Sequence, residues 1–275
     1  MYDFSGKVAL VTGAGGERGF GRAIANRLAD DGAHVAVNDV TAIPYGGGWC
    51  GVDAVVDEIK SKGRQSMAVI ADVSNGDEVQ AMVDDVVTQF GRIDIFVANA
   101  GSRPGPDRVP VVELPEEAFD EVMRVNVRGT FLTCQSVARH MIERGGNGKI
   151  VIISSTAGKR GLPRYAAYTA SKFALVGFTQ SFAHEMGASK VNVNAICPGL
   201  AETERVIHIA DSLRGEGQTA EDQLAEMVRQ RSAVNPLGRI TETRDIANMA
   251  AFLSSNEADY LTGLAISVSG GDVMF

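Results

Sequence analysis

Short apolar runs alternate along this chain with stretches in which apolar residues return every three or four positions. The runs are Val8 to Val11, Val35 to Val37, Met67 to Ile70, Ile93 to Val97, Ile150 to Ile153, Val191 to Ile196 and Leu264 to Val268. Their length and near-continuous apolar character predict seven strands buried on both faces. Between them, Val52, Val55, Val56 and Ile59 share one helix face, as do Val79, Met82, Val83, Val86 and Phe90. Strand and helix in strict alternation imply parallel strands joined by right-handed helical crossovers. The expected fold class is therefore α/β, a doubly wound sheet of about seven parallel strands with helices on both faces. No linker, repeat or low-complexity segment divides the chain, so a single domain over 1–275 is expected.

Two stretches break the rhythm, the Gly-rich insert Thr41 to Gly51 and the long segment Leu200 to Asn235. Both follow predicted strands, at the sheet edge where such folds place ligand-covering loops. The second has helical pieces around Val206 and Leu224 and suggests a substrate lid over 200–235.

Composition narrows the function classes. Apolar residues are 45% and charged residues 22% of the chain, enough for a sizeable core. The net charge of −8 is spread along the sequence with no basic stripe, which argues against nucleic acid as a partner. Cys50, Cys134 and Cys197 are odd in number and unpaired in spacing, as in a reducing compartment. The N-terminus has neither a basic start nor an unbroken apolar run, and no stretch approaches the ~18 apolar residues of a membrane span. A cytoplasmic protein with no membrane association is expected. His34, His140, His184 and His208 lack ligand spacing, so no metal is expected. His208 could touch a substrate, although packing is the favoured reading. Trp49 could cover a bound base or an oligomer contact, against the default of a surface loop.

The chemistry begins after the first strand, in TGAGGERGFGRAIA. Gly13, Gly15, Gly16, Gly19 and Gly21, with Arg18 and Phe20 among them, precede a helix, an arrangement that brings backbone N–H groups and a positive dipole end to a pyrophosphate. The second strand ends at Asp39, 20 residues beyond Gly19. A carboxylate there accepts from adenosine ribose hydroxyls and repels a 2′-phosphate, which favours NAD. Arg18 is the opposing signal, since a guanidinium beside the loop could pair with the 2′-phosphate of NADP. Downstream, YTASK places Tyr168 and Lys172 four residues apart, one above the other on a helix. An ammonium beside a phenol favours phenolate, so Tyr168 can exchange a proton near neutrality, with Lys172 as its tuner.

From Lys7 almost to its C-terminus the sequence resembles the short-chain dehydrogenase/reductase family. The family's NAG motif stands as Asn99-Ala100-Gly101, its adenine-side aspartate as Asp72 in ADVS, and its PG motif as Pro198-Gly199 with Thr203 following. The resemblance implies a Rossmann-type domain. It places Asp72 and Val73 beside adenine, Asn99, Ala100 and Gly101 beside ribose, and Ile196, Pro198, Gly199 and Thr203 beside the nicotinamide carboxamide. Lys172 would also hold the nicotinamide ribose. Ser155, 13 residues before Tyr168 and followed by two residues and Gly158, matches the family's oxyanion-stabilising serine better than Ser154. Asn126, in Asn126-Val127-Arg128-Gly129, resembles the asparagine that props a water relay to the lysine, and could equally be a helix-bending core residue.

Two departures stand out. The family loop TGxxxGxG is two residues longer here, so which glycine meets phosphate stays open. The near-terminal DGG is Ser269-Gly270-Gly271. The expected activity is interconversion of a secondary alcohol and a ketone with NAD(H). The expected assembly is a homotetramer pairing helices through Glu116 to Arg144 and Ala166 to Gly187. Two alternatives remain: an enoyl-thioester reductase, whose Tyr-x6-Lys spacing Tyr165 and Lys172 would fit, and a catalytically silent NAD-binding regulator or scaffold.

Overall fold

Side-chain alternation on the strands decides the architecture. In β1 (Val8–Val11), Ala9 and Val11 pack into one apolar cluster while Val8 and Leu10 pack into another, and all four are buried. The same split recurs in β4 (Ile95–Ala98), with Ile95 and Val97 on one side and Phe96 and Ala98 on the other, and in β5 (Gly148–Ile153). A sheet apolar on both faces must be covered on both. At a fully buried site such as Leu10, truncation to alanine costs about 2–5 kcal/mol.

The computed structural model describes residues 2–44, 48–215 and 217–275. In chain order, β1 leads to α1 (Phe20–Asp30), β2 (His34–Asp39), α2 (Gly51–Ser61), β3 (Ser66–Ile70), α3 (Gly76–Phe90) and β4. There follow α4 (Glu116–Met123), α5 (Thr130–Glu143), β5, α6 (Ala166–Met186), β6 (Val191–Pro198), α7 (Glu204–Leu213), α8 (Ala220–Val234), α9 (Thr243–Ser254) and β7 (Ala265–Val268). The strands form one sheet in the order β3-β2-β1-β4-β5-β6-β7, every pair parallel. Residues of α1, α2 and α9 cover one face and residues of α3, α5 and α6 the other. The chain reverses its direction of winding between β1 and β4, so the strand ends diverge there and leave a cleft.

Two expectations need correction. The fourth strand starts at Ile95 and not at Ile93, because Asp94 is turned to the end of β1: its amide donates to the Val8 carbonyl and its carboxylate accepts the Val8 amide. The helical run expected over Glu116 to Arg144 changes pitch, with a π-helical stretch over Arg124–Gly129 between α4 and α5. The Gly-rich insert is only partly described, since 45–47 lie outside the described residues. Its close is a tight turn: Gly51 has φ +62°, and a Cβ there would sit 1.8 Å from the Ala42 carbonyl oxygen, so only glycine fits.

Candidate active site

The loop after β1 is held open by fixed bonds. Thr12 Oγ1 accepts the amides of Asn99 and Ala100, and Asn99 Nδ2 donates to the carbonyls of Thr12 and Gly13. Gly13, at φ +62°, lies so close to the chain after β4 that a Cβ would stand 2.7 Å from Ala100 Cα. The lengthened loop is strapped at Gly15, whose amide donates to Asp39 Oδ2 at 3.0 Å and whose carbonyl accepts Trp49 Nε1 at 2.8 Å. The Arg22 guanidinium lies 4.8 Å from the Trp49 ring centroid. Trp49 is thus a fastener of the loop, a role for which the sequence carried no signal beyond an aromatic in a Gly-rich insert.

A cleft runs from β2 and β3 across this loop to α6. Asp39, Asp72 and Val73 line one end; Gly13, Gly16, Gly19, Phe20, Asn99, Ala100 and Gly101 the middle; Tyr168, Lys172 and Thr203 the other. Gly15, Arg18 and Gly21 lie off this wall. Gly21 is a packing residue, since a Cβ there would be 2.5 Å from the Gly13 oxygen. Arg18 turns towards Glu202, 3.7 Å away, and its amide donates to Glu204, latching the loop to the segment before and at the start of α7. Asp39 accepts the Gly15 and Val40 amides; burial raises its pKa against the pull of those bonds. Asp72 is held below the usual carboxylate range, as bonds from Ser74 and Arg124 outweigh its partial burial.

At the far end, β5 and α6 bring three groups together. Tyr168 hydrogen-bonds the Ser155 side chain, and Lys172 Nζ lies 5.7 Å from the Tyr168 ring centroid while donating to the Ile153 carbonyl at 2.9 Å. Ser154 is spent elsewhere: its hydroxyl donates to the Lys172 carbonyl and locks α6 to the end of β5. Burial raises the phenol pKa of Tyr168, but Lys172, Arg205, the Ser155 bond and Arg108 together bring it below its ordinary value. Burial likewise lowers the Lys172 ammonium. Asn126 sits in the π-helical stretch, fully buried, with Oδ1 accepting the Ser102 amide at 2.8 Å and Nδ2 donating to Ser171 Oγ at 2.9 Å. It braces α6 against the loop after β4 and makes no bond to Lys172. Ile196 is buried in the core, its carbonyl accepting the Ser154 amide.

Pro198, Gly199 and Thr203 join Ser155 and Tyr168 around a second cavity, walled by α7, α8 and the loops before α4 and after β5. His208 is not among its lining residues. Two residues missed by sequence reasoning stand over Tyr168: the guanidinium carbons of Arg108 and Arg205 lie 4.9 and 4.6 Å from its ring centroid. Nothing local marks either arginine, because only the tertiary fold brings them together. Among the described residues no cluster of His, Cys, Asp or Glu could hold a metal ion, and no helix is long and apolar enough to cross a membrane.

A family model described as enoyl-(acyl carrier protein) reductase matches residues 13–272. The chain is 38% identical over 268 residues to a short-chain dehydrogenase/reductase of Armillaria gallica, covering 98% of this chain and 96% of that protein. The chain belongs to the short-chain dehydrogenase/reductase family. Another member, the 3-oxoacyl-(acyl-carrier-protein) reductase FabG of Staphylococcus epidermidis, is 39% identical over 268 residues, covering 98% of this chain and 99% of that one. Among solved structures, an NAD+-bound xylitol dehydrogenase superposes with a TM-score of 0.85 at 32% identity, covering 98% of this chain and 99% of that one. The chain is therefore an oxidoreductase of this family, with a nicotinamide-dinucleotide-binding fold.

Proposed function

We propose that the chain interconverts a secondary alcohol and a ketone with NAD(H), using Tyr168 as the acid/base. The observation that carries this reading is the Ser155–Tyr168–Lys172 group, where the cleft that Lys172 lines meets, at Tyr168, the second cavity that Ser155 lines. The dinucleotide, when bound, supplies or accepts the hydride. Asp39 would face its adenosine ribose, Gly13, Gly16 and Gly19 its phosphates, and Lys172 its second ribose. Tyr168 gives its proton to the substrate oxygen as reduction makes it an alkoxide, and takes the proton back in oxidation. Ser155 donates a hydrogen bond to the same oxygen, and Lys172 favours the phenolate. Asn126 is a positioning residue that fixes α6. NAD is favoured over NADP because Asp39 occupies the ribose end while Arg18 is drawn away to Glu202. The exposed Cys50 thiol suits a reducing, cytoplasmic setting.

The reading is tested by two variants. Tyr168→Phe should lower kcat for ketone reduction by about 10²-fold or more while leaving NADH binding, followed by fluorescence titration, nearly intact. Tyr165→Phe should act chiefly on KM, because Tyr165 stands edge-on to Tyr168 with ring centroids 6.3 Å apart. A live Tyr168→Phe beside a dead Tyr165→Phe would transfer the role to Tyr165 and favour the enoyl-thioester reaction.

A further inference from the structure

Arg108 is an unusual residue to find beside a phenol that exchanges protons. Its side chain is only 4% exposed, and so is solvated almost wholly by protein. One arm of the guanidinium is satisfied: Nη1 donates to Asp107 Oδ2, and Asp107, itself 2% exposed, is held by the Gly105 amide at Oδ1. The other edge is not. Nε and Nη2 are buried and have no protein acceptor. These two nitrogens share one edge of the planar guanidinium and carry parallel N–H bonds, the fork that matches the two oxygens of a carboxylate. A buried charged donor without an acceptor is costly, so an anion brought to this edge would be held there.

The fork stands at the reacting centre. The Arg108 guanidinium carbon is 4.2 Å from the Tyr165 ring centroid and 4.9 Å from that of Tyr168. Arg205 approaches Tyr168 as well; its Nη1 donates to the Ser102 carbonyl and its buried Nη2 also lacks a protein acceptor. Charge points the same way. Four arginines and one aspartate line this cavity, in a chain whose net charge is −8. The aspartate, Asp272, already serves two of those arginines, Arg160 at 2.7 Å and Arg231 at 3.1 Å. Leu162, Val206, Ile209 and Met227 add apolar lining to the same cavity.

We propose that the substrate is an anion, an oxo acid and its hydroxy acid, whose carboxylate lies a few bonds from the reacting carbon and is gripped by the Nε/Nη2 edge of Arg108 with Arg205 beside it. The rest of the substrate is apolar and lies along α7 and α8. This rests on Tyr168 marking the place of the reacting oxygen. It separates the chain from enzymes whose substrate carries a neutral thioester or ester at that position.

The test compares 3-oxobutyrate with methyl 3-oxobutyrate, and 2-oxobutyrate with its methyl ester, as oxidants of NADH. The same protein is titrated, in the presence of NADH, with butyrate and with butyramide. The acid of at least one pair should have the higher kcat/KM by about 10-fold or more, the scale of a charge-assisted hydrogen bond lost. Butyrate should bind and butyramide should not. Arg108→Met should bring the acid-to-ester ratio close to one, chiefly through KM, and abolish butyrate binding. Arg108→Lys should recover only part of both, since an ammonium cannot form the fork. If Arg108→Met does not fold, Arg205→Met should reduce the ratio in the same direction. Esters reduced as well as acids, with no butyrate binding, would overturn the proposal and leave the two arginines as tuners of Tyr168 alone. Butyrate binding lost in Arg108→Met, with no ketone reduced, would keep the carboxylate site and remove the ketone reading on which it was placed.

Discussion

A phenol carries a proton or a charge according to its neighbours, and for Tyr168 the contest is between burial and cations. Burial favours the neutral form; Lys172, Arg205, the Ser155 bond and Arg108 favour the phenolate and prevail. Ketone reduction needs the phenol, so its kcat should fall as pH rises through this pKa; alcohol oxidation needs the phenolate, so its kcat should rise over the same range. Arg205→Gln removes one of the cations that stabilise the phenolate. Both midpoints should therefore move to higher pH, and profiles that move down or stay fixed would show that Arg205 does not act on Tyr168. Asp39 is a second case. Asp39→Ser removes a carboxylate that would repel a 2′-phosphate, and should shift the NADP-to-NAD ratio of kcat/KM towards NADP by about 10-fold or more, the scale of one unfavourable charge contact. Equal use of both cofactors by the unaltered chain would contradict it. Helical spacing sets Tyr168 and Lys172 on one helix face, and the resemblance to the family singles out Ser155; the fold brings these three side chains together. Arg108 and Arg205 were not legible in the sequence, because they sit in separate segments, after β4 and at the start of α7, with no pattern around either.

Elements were more legible than their joints. All seven strands overlap the apolar runs that predict them; the five inner strands are buried on both faces and have little freedom in composition, whereas β3 and β7 at the sheet edges are only partly buried, against the expectation of seven fully buried strands. The π-helical stretch at Asn126 was not readable, because what it satisfies, the Ser102 amide and Ser171 hydroxyl, comes from other elements. The strap on Gly15 was hidden for the same reason. On α5 and α6, Phe131 and Phe173 are 41% and 45% exposed, outside the faces that cover the sheet. Large aromatic side chains left in water on neighbouring helices are surface that association would bury. We propose that this face joins subunits into a homo-oligomer, in line with the tetramer expected from the family. Light scattering at micromolar concentration should return a multiple of the 29.1 kDa chain mass, and Phe173→Asp should lower it. A monomer in the unaltered protein would contradict the assignment.

For the whole molecule, topology does what no single segment can. Reversal of winding between β1 and β4 opens the cleft, the C-terminal ends of the strands bring its lining residues together, and α7 and α8 close a basic cavity over Tyr168 in an otherwise acidic chain. Residues of α7 and α8 line the cavity; its charge was not readable in the sequence, since Arg108, Arg160, Arg205 and Arg231 are scattered along it. The central claim is that a hydride reaches a carbonyl carbon while Tyr168 protonates its oxygen. NADH deuterated at the transferable position, incubated with the protein and a panel of ketones and oxo acids, tests it directly when the product is examined by mass spectrometry and NMR. One deuterium on the carbinol carbon of a new secondary alcohol is the predicted result. Deuterium on a carbon β to a thioester, in a parallel incubation with an enoyl-thioester, and none on any carbinol, would contradict it.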